Sequence, residues 1–188
     1  TFTTPERAVD TAVEFARHGA SAVKVETADP KIIQAISDAG IAVMPHLGLL
    51  PQQRDRIGGF KAQGRDADSA AKIIVSARVM ELAGADFMLL EAVPSEVAAI
   101  IQRTCSIPVF GIGAGKDVDG QLLVSSDVTG TYLPFKPAFA KKFADGAKSF
   151  REAYAGYAEE VREGVFPETK HGYTMVDGAF DILKKSFE

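Results

Sequence analysis

Short apolar runs alternate with amphipathic helical stretches along the first two-thirds of this chain, and that alternation limits its fold more than any other feature. Residues 21–26, 41–44, 87–90, 107–110 and 121–124 read as strands: apolar, rich in Val, Ile and Leu, and too short for helices. Helical periodicity fills the gaps. Thr4-Pro5-Glu6 sets a capping hydroxyl before a proline at the first helical position and an acid in the first turn. Asp29-Pro30 repeats the signal, a third helix begins near Asp66, and Pro94-Ser95-Glu96 opens a fourth. Gly19, Gly40 and Gly84 end three of them. Parallel strands need a crossover of about a dozen residues or more, and a helix supplies it. The expectation is therefore an α/β fold with a parallel sheet and right-handed crossovers.

The texture changes after residue 134. Phe135, Phe139, Phe143, Phe150, Tyr154 and Tyr157 recur at near-helical spacing among Lys, Arg and Glu. The spacing predicts one long amphipathic helix over 137–162, its aromatic stripe serving as core or subunit contact. A last short helix is expected over 176–186. The expected organisation is a sheet-and-helix unit over 1–134 and a helical extension over 135–188, packed on that unit or on a neighbouring subunit.

Composition removes several classes of function. The 188 residues can bury one substantial core. A net charge of −4 without any Lys/Arg-rich block argues against nucleic-acid binding through a basic surface. Cys105 is the only cysteine, so no internal disulfide can form and the cytosol is the expected compartment. No stretch approaches a membrane span, and the N-terminus does not read as a signal peptide. Thr1 stands where an initiator Met would be, which suggests a processed, truncated or partial chain.

Polar residues gather where the strands end. Lys24 and Glu26 share one face of their strand, because side chains alternate with a period of two. His46 follows the second strand, Glu91 closes the third, and Gly111-Ile112-Gly113-Ala114-Gly115 follows the fourth. On adjacent parallel strands these groups converge on one rim, where barrels and open sheets build their sites. A lysine, a histidine and two carboxylates suit enolate formation: a cation or metal holds the oxyanion while a base removes a carbon-bound proton. Each residue also has a plainer reading. Lys24 and Glu26 fit a surface pair, His46 a structural hydrogen-bonding residue, and Glu91 a helix N-terminal acid. The glycine turn lacks the third glycine of the dinucleotide fingerprint, since Lys116 stands there, and reads as a close backbone approach to a ligand. Asp117 and Asp119 suit a turn or a cation, and Cys105 reads as packing. His18 and His171 show no metal-ligand spacing.

Several motifs, in order, resemble the ketopantoate hydroxymethyltransferase family. They are Lys24-Val25-Glu26, then Val43-Met44-Pro45-His46-Leu47-Gly48-Leu49 with Pro51-Gln52, and Gly58-Gly59-Phe60-Lys61-Ala62-Gln63-Gly64-Arg65. Leu89-Leu90-Glu91-Ala92-Val93-Pro94, the glycine turn with Asp119-Gly120-Gln121, and Phe166-Pro167 with His171 follow. The resemblance runs from about Phe2 to Tyr173. It implies a (β/α)8 TIM barrel of the phosphoenolpyruvate/pyruvate-binding type, with the N-terminal βα units outside this chain. It also implies transfer of a hydroxymethyl group from 5,10-methylenetetrahydrofolate to 3-methyl-2-oxobutanoate, with Mg²⁺, in cytoplasmic pantothenate synthesis. By the same resemblance Glu91 would be the base, Lys24 and His46 would bind the keto acid or line its pocket, and Glu26 would hold the metal. Two further aspartate ligands are expected on earlier strands. The family assembles as a decamer through terminal helices, so a homo-oligomer is expected here. Thr27-Ala28, Pro45 and Val118 depart from the family pattern, the first two beside the proposed pocket. Two other readings stand beside this one: a related metal-dependent enolate lyase of the isocitrate lyase or phosphoenolpyruvate mutase type, and a non-catalytic truncated barrel.

Overall fold

The structure, a computed structural model, describes residues 3–53, 59–132, 134 and 137–187. Thr1, Phe2, Gly58 and Phe135, used in the sequence argument, lie outside the described residues. Five parallel strands stand side by side in chain order: β1 Ala22–Val25, β2 Ala42–Gly48, β3 Met88–Glu91, β4 Val109–Ile112 and β5 Gly120–Gln121. Helix α1 (Pro5–Arg17) leads in, and α2 (Pro30–Asp38), α3 (Ala67–Leu82) and α4 (Ser95–Thr104) form the successive crossovers. A sheet in which every sequence neighbour is also a spatial neighbour has no switch point. This is the winding of a βα-barrel wall, as distinct from a doubly wound sheet.

Alternation along the strands sorts the two faces. Val25, Val43, Leu47, Met88, Leu90 and Val109 pack with Ile33, Ile36, Met80 and Ile101 of the helices in one core. Ile33 and Ile36 are wholly buried, and burial of an aliphatic side chain of that size contributes about 1.5–3 kcal/mol. The intervening residues Lys24, Met44, His46, Leu89, Glu91, Phe110 and Ile112 take the opposite face. Two aspartates fasten the strand starts. Val43 N–H donates to Asp86 Oδ2 at 2.9 Å while Asp86 N–H donates to Val43 O at 3.0 Å. Asp119 does the same one layer on, with Val109 N–H on Oδ2 at 2.8 Å and its own N–H on Val109 O at 2.8 Å.

The helix starts follow their caps. Thr4, Asp29 and Asp66 each accept a backbone N–H with the side chain, and Asp66 forms a capping box with Ser69. Pro45 is tolerated inside β2 because the ladder changes partner there. Ala42 to Pro45 pair with β1, and His46 to Gly48 pair with β3. The donor that proline lacks falls at that change of partner.

Several expected element bounds change, the fourth strand moving from 107–110 to Val109–Ile112 among them. The second strand runs through His46 to Gly48 and does not stop at Met44. The fifth strand is Gly120–Gln121 and not 121–124: Leu122 N–H makes its bond to Gly111 O, and Ser125–Thr129 then turns into a short helix, α5. The long helix, α6, is Gly146–Glu163 and does not begin at Pro137. Asp145 caps it, and Pro137 to Ala140 form a turn closed by Ala140 N–H on Pro137 O at 3.0 Å. Phe139 thus belongs to a turn, its ring seated on Gly113. The last helix, α7, is Ala179–Lys185.

The chain divides into two compact units, Thr1–Val128 with Lys136–Lys141, and Thr129–Phe135 with Lys142–Glu188. Within the second, Tyr157 meets Phe166 edge-on at 5.6 Å, and Gly164 ends α6 in the left-handed conformation. Phe150, Tyr154, Tyr157 and Val161 form an exposed stripe along α6. No helix among the described residues is long and apolar enough to cross a membrane.

Candidate functional site

The register brings two of the four expected site residues together. His46 stands opposite Leu89, and Glu91 is two residues further along β3, on the same face and diagonal to it. His46 Nε2 lies 3.1 Å from Glu91 Oε2, with the histidine side chain 2 % and the glutamate side chain 14 % exposed. The approach is close but out of line for a hydrogen bond, and both ring nitrogens are buried without a hydrogen-bond partner among the described residues. The plainer reading of Glu91 as a cap for the following helix does not hold. Helix α4 has Pro94 at its N-cap and no side-chain cap, and the Glu91 carboxylate turns to the histidine.

The backbone at Glu91 is held from three sides. Leu49 N–H donates to Glu91 O at 2.8 Å, Ala92 N–H donates to Ile112 O at 2.9 Å, and Gln63 N–H donates to Ala92 O at 2.9 Å. Ala92 has φ 49°, left-handed for a residue with a Cβ, a conformation that persists where its surroundings impose it. Gly48, with φ +91°, lets β2 pass close to this exit: a Cβ there would sit 2.3 Å from Glu91 O. Sequence reasoning missed Gly48. Its signal was a glycine two residues after His46, at the end of a strand that must pair with the one carrying Glu91.

Lys24 and Glu26 are placed differently. Lys24 is exposed on the face that His46 and Glu91 share. Glu26 is 5 % exposed, leaves β1 at the level of His46, and its Oε1 accepts the Gln52 N–H at 2.8 Å. The two do not form an ion pair among the described residues, so they are not the surface pair that their spacing allowed. Gln52 is a second residue that sequence reasoning missed, since a backbone donor carries no side-chain signal. The described residues hold no group of three or more His, Cys, Asp or Glu suited to a metal. Glu26 offers a single carboxylate, with one oxygen engaged by the loop. That is compatible with Mg²⁺, which keeps several waters and takes one or two carboxylates.

The glycine turn packs closely on its neighbours: a Cβ on Gly113 would strike the Phe139 ring at 2.4 Å, and one on Gly115 would strike Ser95 Cβ at 2.4 Å. Asp119 serves the sheet. Its carboxylate takes the Val109 N–H and then the Gln102 amide, and these hold it below the usual carboxylate range. Asp117 pairs with Lys116 at 2.9 Å. Burial, and then the charge of Glu81, pushes the Cys105 thiol up to about 11. His18 lies against Glu14 O at 2.9 Å, and His171 accepts the Glu168 N–H at 3.2 Å, each within its own local segment.

Residues 1–169 match the family model described as ketopantoate hydroxymethyltransferase. The chain is 44 % identical over 155 residues to the 3-methyl-2-oxobutanoate hydroxymethyltransferase of Enterococcus faecalis, covering 82 % of this chain and 55 % of that protein. It is 45 % identical over 176 residues to the protein of the same name from Nitratidesulfovibrio vulgaris, covering 93 % and 57 %. The chain therefore spans little more than half the length of these relatives. Among solved structures it is similar to a phosphonopyruvate hydrolase, with a TM-score of 0.48 at 12 % identity over 99 % of this chain and 66 % of that one. It is also similar to a lyase/mutase-like protein of Burkholderia cenocepacia, with a TM-score of 0.47 at 16 % identity over 98 % and 65 %.

Proposed function

This chain belongs to the ketopantoate hydroxymethyltransferase family, and on that premise we propose that the whole protein is a one-carbon transferase making 2-dehydropantoate for pantothenate synthesis. It takes the hydroxymethyl group from 5,10-methylenetetrahydrofolate and places it on C3 of 3-methyl-2-oxobutanoate. The observation that supports this most is Glu91, a largely buried carboxylate at a strand exit, against a histidine and on the face away from the core.

Glu91 removes the proton from C3. The C–H bond breaks, an O–H bond forms on the carboxylate, and the electron pair moves into the C2–C3 bond as charge grows on the keto oxygen. C3 then attacks the folate methylene carbon, and one of its two C–N bonds breaks. The oxygen of one water displaces the second nitrogen, leaving the hydroxymethyl group on C3. The proton held by Glu91 and one from the water pass to the two folate nitrogens, so that tetrahydrofolate leaves and the Glu91 carboxylate is restored. Lys24, exposed on the shared face, binds the anionic keto acid, and His46 stands against the Glu91 carboxylate. Glu26 is the residue of this chain that would hold Mg²⁺. When bound, that ion supplies positive charge for the oxyanion.

The partners in this reading are the keto acid and the folate, with neither nucleic acid nor membrane involved, in the cytoplasm. The exposed stripe of α6 supports self-association, decameric by family resemblance. The test is Glu91→Gln in the intact protein, followed by deuterium exchange at C3 of 3-methyl-2-oxobutanoate in D₂O. Exchange is expected to fall by on the order of 10²–10⁴ with the fold retained by circular dichroism. Exchange at the parent rate would remove Glu91 as the base.

A further inference from the structure

We infer that His46 is a positioning residue for Glu91 and not a contact for the substrate. The inference deepens the reading above and rests on it. Height along the strands comes first. His46 is level with Leu89, two residues further from the strand exits than Glu91, which is level with Gly48 and Ile112. A ligand entering at the exits meets Glu91 before it meets the ring. Exposure agrees, at 2 % for the histidine side chain against 14 % for the glutamate.

The partners of the ring come second. Leu89 stands beside it in register, and Met44 and Gly48 flank it on the same face of β2. Neither ring nitrogen has a hydrogen-bond partner among the described residues, yet Nε2 lies 3.1 Å from Glu91 Oε2. A buried imidazole left unsatisfied is costly. The adjustment that satisfies Nε2 is a small rotation bringing Nε2–H into line with Oε2. Catalytic hydrogen bonds are commonly loose before the substrate binds and tighten in the reactive complex.

The bond would do two things. It would hold the carboxylate in one rotamer, and it would occupy Oε2 so that Oε1 is left to face C3. The backbone of Glu91 is already held through Leu49 and Ala92, so the side-chain torsions are the freedom that His46 removes. A misplacement of about 1 Å at a reacting group costs on the order of 10²-fold in rate.

The test compares His46→Gln, His46→Asn and His46→Leu in the intact protein, with Glu91→Gln alongside. The readouts are kcat and KM for C3 deuterium exchange. Gln can carry an N–H to the position of Nε2, whereas Asn is one methylene too short and Leu has no donor. The expected pattern is a kcat lowered about 10–100-fold in His46→Asn and His46→Leu, KM for the keto acid within about twofold of the parent in all three, and His46→Gln restored to within about threefold. Should His46→Leu fail to fold, the Gln and Asn pair still decides the matter. A raised KM with kcat intact, or Gln and Asn equally impaired, overturns the inference. If Glu91→Gln exchanges at the parent rate, the base assignment fails instead. If Glu91→Gln is dead and the His46 variants match the parent, only the role given to His46 fails.

Discussion

Replacing Gly48 with alanine tests how tightly the exit of β3 is clamped. Two costs combine at this position. Gly48 has φ +91°, where a residue with a Cβ is strained by about 1–2 kcal/mol. The added Cβ would also lie 2.3 Å from Glu91 O and 2.6 Å from Val93 Cγ2, more than an ångström inside the 3.4 Å at which ordinary contact begins against the carbonyl. Overpacking of that kind costs about 1–3 kcal/mol. Displacing the carbonyl also weakens the bond from Leu49 N–H, worth about 1 kcal/mol. Gly19 supplies the control. Its φ is +94°, nearly the same, and a Cβ there would meet nothing within 4 Å. Gly19→Ala thus carries the backbone strain alone, and the difference between the two variants isolates the steric contribution. Urea unfolding should place Gly48→Ala about 2–4 kcal/mol below Gly19→Ala, at matching m-values. C3 exchange should fall only in Gly48→Ala, because the displaced atom belongs to the proposed base. Equal destabilisation in the two variants would refute the argument and show that β2 has room to move away from Glu91.

Two further outcomes are expected. Cys105, its thiol pushed up to about 11 by burial and then by Glu81, should react with iodoacetamide at pH 8 roughly 10²-fold more slowly than an ordinary cysteine; mass spectrometry of the labelled native protein measures this, and rapid labelling would show that the site opens. Asp119 is held below the usual carboxylate range by the Val109 N–H and then by Gln102. Its contribution to stability is therefore present above the unfolded value of about 3.9 and lost as pH falls through the lower folded value. Urea midpoints for the parent and Asp119→Asn below about pH 4 should converge as acid removes the difference, and parallel midpoints at every pH would contradict this.

The order and direction of the strands were legible because each is a short apolar run between capped helices. The proposed base was legible for a related reason. An acid closing the run Phe87-Met88-Leu89-Leu90 has no cheap place except a strand exit. Spacing misled where it had no partner to check it against. Phe139 fits a helical stripe with Phe143 and Phe150, yet its ring is taken by Gly113, which no periodicity records. Leu122, Leu123 and Val124 look like a strand, but Leu122 and Val124 stay exposed and the ladder ends with Leu122 N–H on Gly111 O. His46 was placed after its strand and not inside it because Pro45 reads as a breaker. Only the change of pairing partner at that residue shows why β2 continues. Backbone donors such as Gln52 N–H, and the room that Gly48 leaves, are properties of neighbouring strands and cannot be read from one stretch of chain.

The sorting of strand residues by parity has an evolutionary consequence. Odd positions of β2 and even positions of β3 carry the core, and the residues between them carry the proposed chemistry. Adjacent codons therefore answer to different selective demands. A substitution at Met44 or Leu89 could redraw the pocket while Val43, Leu47, Met88 and Leu90 keep the protein folded. Such a scaffold can drift in what it accepts without first becoming less stable, because few positions serve both ends at once. Gly48 is the exception: it stands level with Glu91 on the face of the proposed chemistry, yet its lack of a side chain is what lets two strands meet.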